Sequence, residues 1–62
     1  MTNLYKLYYN KDRKEALAVE TKEYFNRVFK RNEYFVKITK ADAVVTYHFD
    51  KATDEILSRF VD

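Results

Sequence analysis

No glycine and no proline occur among the 62 residues of this chain, although average usage is about 7% and 5%. That double absence constrains the backbone more than any motif does. Left-handed turn positions must be filled by residues that carry a Cβ, at a steric cost. Proline is not there to stop a helix or a strand. Turns therefore fall to Asn, Asp and Lys, and in the short segment "KADA" Asp42 is the expected left-handed residue. Glycine-rich phosphate loops are ruled out.

A chain this short forms one domain, residues 1–62, and buries only about 60% of its unfolded surface. Aromatic side chains, 18% of the residues, answer that need because each buries roughly 150–250 Å². With no cysteine, disulfides and thiolate metal sites are excluded. No uncharged run reaches membrane-spanning length, and the N-terminus lacks a signal-peptide pattern. The expectation is a soluble cytoplasmic protein that does not engage membranes. A net charge of +2 is too small to argue for nucleic acid alone.

Periodicity then suggests five elements. Alternation and the β propensity of tyrosine predict a strand over 3–9, "NLYKLYY". A helix is predicted over 12–31, with Asp12 and Glu15 as a capping box. Its apolar residues Leu17, Ala18, Tyr24, Phe25, Val28 and Phe29 share an arc of roughly 140°. A strand over "EALAVE" is the competing reading, but it rests on two alternating residues against four helical turns. Strands follow at 33–40 and 43–49, joined by a tight antiparallel turn. Residues 51–61 read as a second helix, capped by Asp50 or Thr53, with Asp54 and Glu55 in its first turn. The expected fold is α+β: order β-α-β-β-α, a three-stranded sheet with a β-hairpin, and two helices on one face.

On that architecture Tyr34, Val36 and Ile38 pair with Val45, Tyr47 and Phe49 beneath the helices, joined by Tyr5, Leu7 and Tyr9. The other face displays Leu4, Lys6, Tyr8, Phe35, Lys37 and His48, among others, and contains no acid. Antiparallel sheets often keep one wet face, yet a mixed apolar and basic patch is also what a partner surface looks like. A protein partner is the leading reading. Two alternatives are a nucleic-acid platform, with bases stacking on Tyr8 and Phe35 while Lys6 and Lys37 follow the backbone, and a homodimer joined through an edge strand. Arg27, Lys30 and Arg31 form a secondary basic cluster. On a helix they complement the C-terminal dipole, and otherwise they offer a contact for phosphate or an acidic partner.

Catalytic and cofactor-binding groups are sparse. His48 is the only histidine, short of the three or four ligands a metal needs. Ser58 is the only serine, and no base is spaced to activate it. The expectation is no enzyme, no cofactor and no metal. In size, residue usage and missing catalytic groups the chain resembles the small accessory proteins that phages and mobile elements direct at host machinery, anti-CRISPR proteins among them. That resemblance rests on no motif, and it implies a binding protein that inhibits or modulates its target.

Overall fold

A computed structural model describes residues 4–62. Helix α1 spans Leu4–Lys14, and strands β1 (Ala18–Asn26), β2 (Arg31–Thr39), β3 (Val44–Asp50) and β4 (Ile56–Val61) follow. The strands form one antiparallel sheet in the order β1-β2-β3-β4. This replaces the expected order β-α-β-β-α: among the described residues there is one helix where two were expected, and there are four strands where three were expected.

The β2–β3 hairpin is as the alternation predicts. Tyr34 pairs with Phe49, Val36 with Tyr47 and Ile38 with Val45. Val36, Ile38, Val45, Tyr47 and Phe49 form the buried core, with Tyr9, Ala16, Tyr34 and Ile56 packed against it. Burial of each such side chain contributes about 1.5–3 kcal/mol. Tyr34 stacks on Phe49 at 4.8 Å, and Tyr9 meets the rings of Tyr47 and Phe49 edge-on at 5.1 and 5.3 Å.

The other three expected elements change type, each for a physical reason. The strand expected over 3–9 is helical from Leu4; its first residue, Asn3, lies outside the described residues. Tyr5, Tyr9 and Asp12 are spaced i, i+4, i+7, which is one helix face. Lys11, Arg13 and Lys14 lie in the last turn, where cations suit the dipole. Of the residues expected in the core here, Tyr9 alone packs against it, while Leu7 is exposed. Asp12 is no cap: it is buried under the end of the helix.

The helix expected over 12–31 is instead the end of α1, all of β1 and a turn. β1 is an edge strand, mostly exposed, so no deep apolar alternation marks it, and its Val, Thr, Tyr and Phe residues favour extended backbone. The Asn26 side chain closes the turn by accepting from the N–H groups of Val28 and Phe29. The helix expected over 51–61 is a turn followed by β4. There the Asp50 carboxylate accepts from the N–H of Ala52, and Thr53 Oγ1 accepts from the N–H of Glu55. These are turn contacts made by the residue types that also cap helices. Among the described residues the left-handed positions are Lys30 (φ 51°) and Asp54 (φ 60°), not Asp42. Both belong to the residue types left to make turns once glycine is absent.

Candidate functional site

The helix packs over the β4 side of one sheet face. The opposite face is open, and strand register fixes what it shows. Residues alternating with the buried Val36 and Ile38 are Arg31, Glu33, Phe35, Lys37 and Thr39. Their neighbours across the ladder include Tyr24, Lys22 and Glu20 on β1, with Thr46 and His48 on β3. Ser58 and Phe60 on β4 pair with His48 and Thr46.

An open groove of about 450 Å³ crosses this face, lined by Tyr24, Asn26, Phe29, Arg31, Glu33, His48, Leu57, Ser58 and Phe60. Its floor is a buried carboxylate. Glu33 accepts from Arg31 Nε at 2.6 Å, from the Tyr24 hydroxyl at 2.7 Å and from Asn26 Nδ2 at 3.1 Å. Those donors, Arg31 foremost, hold the Glu33 carboxyl below its usual range against the opposing effect of burial. Burial, then the bond to Glu33, pushes Tyr24 up to about 12. The Tyr24 proton is therefore kept and given to Glu33. His48 Nδ1, 2.8 Å from the same oxygen, is then the donor to it. Around this floor stand Phe60, edge-on to His48 at 5.6 Å, and Phe35, 6.2 Å from the same imidazole. Phe60 and Phe29 are about 60% exposed.

The residues expected to meet a partner are divided by the structure. Phe35, Lys37 and His48 share the open face. Leu4, Lys6 and Tyr8 belong to α1, on the other side of the sheet. There the Arg59 guanidinium lies over the Tyr8 ring at 4.9 Å, and Lys6 lines a second opening with Tyr9, Tyr34, Phe49 and Asp54. The open face is not free of acids, since Glu20 and Glu33 both belong to it. Arg27, Lys30 and Arg31 are not on a helix. Arg27 and Lys30 fall in the β1–β2 turn, while Arg31 is committed to Glu33 and lies over the Phe29 ring at 4.8 Å. Sequence reasoning missed Tyr24, Glu33, Phe29 and Phe60. The signal for one contact was present: Arg31 and Glu33, two apart in a strand, share a face.

A second ionic centre lies under the helix. Asp12 accepts from Lys40 Nζ at 2.8 Å and from the Tyr47 hydroxyl, with Arg59 3.6 Å away. Burial works to raise its pKa, yet Lys40, Tyr47 and Arg59 together bring it below the usual 3.8. Among the described residues no group of His, Asp and Glu could hold a metal ion, and no helix is long and apolar enough to cross a membrane.

Comparison of the chain with family models, curated proteins and solved structures finds no match.

Proposed function

We propose that this chain is a non-catalytic interaction protein that binds a protein partner through the open sheet face and so inhibits or modulates it. The observation behind this reading is the groove itself. Exposed aromatic rings surround a carboxylate whose charge is already neutralised by Arg31, Tyr24 and Asn26. An apolar side chain of a partner entering there covers Phe60 and Phe29, with Phe35 beside the groove on the same face, without stranding an unpaired ion, the pattern of an interface core. A nucleic-acid platform is disfavoured, because Arg31 is committed to Glu33 and Glu20 offsets one of Lys22 and Lys37 on the same face, so that little net positive charge faces a phosphate chain.

A photo-cross-linking residue at position 60 should capture the partner from cells. Phe35→Ser with Phe60→Ser should then weaken binding of the purified partner by about tenfold or more. Neither side chain belongs to the buried core, so the unfolding midpoint should stay near that of the parent. Binding unaffected by the double substitution would sink the proposal. Fluorescence anisotropy showing that oligonucleotides bind at about 50 mM salt, where phosphate contacts are strong, would transfer the face to nucleic acid.

A further inference from the structure

We infer that β1 pairs with β1 of a second copy, antiparallel, with Thr21 on the two-fold axis, so that two four-stranded sheets become one of eight. β1 is an edge strand nine residues long. Its ladder with β2 runs from Ala18 to Asn26 without a bulge, and it contains no proline. Natural edges are commonly blunted by such devices, and this one has neither.

The phase of the main chain shows which groups the edge offers. The Asn32 carbonyl accepts from the N–H of Lys51 at 3.1 Å, so Asn32 faces β3. Alternation turns the peptide groups of Arg31 and Glu33 toward β1, and those of their partners Asn26 and Tyr24 back toward β2. The outward-facing residues of β1 are therefore Val19, Thr21, Glu23 and Phe25. A two-fold axis through Thr21 lets these residues form reciprocal hydrogen-bonded pairs, Thr21 with its own copy and Val19 with Glu23 of the second copy.

Side chains select this register among the alternatives. A two-fold normal to the sheet keeps each face on its own side, so the axis passes through a residue. Placed at Glu20, Lys22 or Glu23, it sets that charge against itself, which is unfavourable directly across a ladder. Of the central positions 21–23, which give the longest overlap, Thr21 alone is uncharged. With the axis there, Glu20 of each copy lies opposite Lys22 of the other, giving two reciprocal ion pairs on the open face. The same register sets Val19 diagonal to Phe25 of the second copy. These two apolar side chains are 42% and 57% exposed in the isolated chain, and the second copy covers them.

The test is sedimentation equilibrium or light scattering on the full chain over a concentration series, with circular dichroism to check each variant's fold. The parent should dimerise. Glu20→Lys and Lys22→Glu, each placing like charges across the axis, should each raise the dimer dissociation constant about tenfold. The double variant Glu20→Lys with Lys22→Glu should recover most of the parent affinity. Thr21→Pro removes an outward N–H, a position where an edge strand tolerates proline, and should leave a folded monomer. A parent that stays monomeric at about 1 mM, where even weak association is populated, overturns the inference. So does a dimer indifferent to the single charge reversals, or a double variant no tighter than the singles.

Discussion

Replacing Asp12 by asparagine keeps the shape of the side chain and removes its charge. Asp12 is 3% exposed, and its carboxylate draws together the Lys40 ammonium at 2.8 Å and the Arg59 guanidinium at 3.6 Å. At an effective dielectric of about 20, unit charges at those distances attract by about 6 and 5 kcal/mol. Desolvation offsets much of this, at several kcal/mol per buried ion. Removing one partner of a buried pair nonetheless costs about 3–5 kcal/mol, because the other charges stay where they were. Here the Lys40 and Arg59 side chains retain 15% and 25% exposure and can partly rehydrate, which places the cost near the bottom of that range. We expect Asp12→Asn to lose about 3 kcal/mol, lowering the thermal midpoint by roughly 12–24 °C for a domain of this size. Urea unfolding monitored by circular dichroism measures the loss. Because folding holds the Asp12 pKa below its unfolded value of 3.8, its contribution is complete above that pH and disappears as pH falls through the folded pKa. The gap between parent and variant should close in acid. Glu15, 3.5 Å from Lys40 but half exposed, is the internal control: Glu15→Gln should change stability by less than about 0.5 kcal/mol. An Asp12→Asn variant as stable as the Glu15→Gln variant, or a gap that persists unchanged at low pH, would refute the reasoning.

Alkaline stability tests the buried hydroxyls. Tyr24, Tyr34 and Tyr47 are pushed up to about 12, chiefly by burial and then by bonds to Glu33, Asp54 and Asp12. Their contribution is present below the ordinary value of 10 and is lost as pH rises from there toward 12. For the fully buried Tyr47 the loss approaches about 2–3 kcal/mol, read as a pH-dependent unfolding midpoint that Tyr47→Phe should flatten. Nearly full tyrosinate absorbance by about pH 11 in a still-folded chain, as tyrosines of ordinary pKa would give, would contradict it. At the β1–β2 turn, Lys30→Gly should relieve the left-handed strain and raise stability by about 0.5–1 kcal/mol in urea unfolding. Asp54→Gly should gain less, because it also removes the acceptor of the Tyr34 hydroxyl.

What could be read from the sequence follows how each strand is buried. β2 and β3 are central, so Val36 and Ile38 alternate with Lys37, and Val45, Tyr47 and Phe49 with Thr46 and His48, giving a clean period of two. That period placed Phe35, Lys37 and His48 on one open face correctly. β1 lies at the edge, and the residues of its inner face, Val19, Thr21, Glu23 and Phe25, are all exposed. Its Thr21 and Glu23 stand where a central strand would carry apolar groups, and the remaining apolar residues imitate a helical arc. α1 hides its face differently, since its inward side, Tyr9 and Asp12, includes a carboxylate that hydrophobic periodicity scores as surface. In β4, Arg59 plays the same trick: it pairs with Tyr47 in the ladder and donates to its hydroxyl at 3.0 Å. Once β1 and β4 were misread, Tyr24 and Phe60 could not be placed beside His48, and the groove was invisible.

The carboxylates account for most of what escaped. Asp12, at a predicted helix start, reads as a cap, and Glu33 opens a predicted strand, whereas here both organise the molecule. Asp12 ties α1 to the end of β2 through Lys40, to β3 through Tyr47 and to β4 through Arg59. Glu33 gathers Tyr24 and Asn26 of β1 with Arg31 of β2, and reaches His48 of β3 through the Tyr24 hydroxyl. The first centre is sealed under the helix, and the second floors an open groove. Charge removal at Asp12 therefore belongs to stability. Removal at Glu33 has a second consequence, because it leaves the Arg31 guanidinium facing the groove without its counterion and frees Tyr24 to turn. If the open face is the binding surface, Glu33→Gln should reduce partner binding by more than its loss of folding stability explains, whereas Asp12→Asn should reduce binding only in proportion to the unfolded fraction.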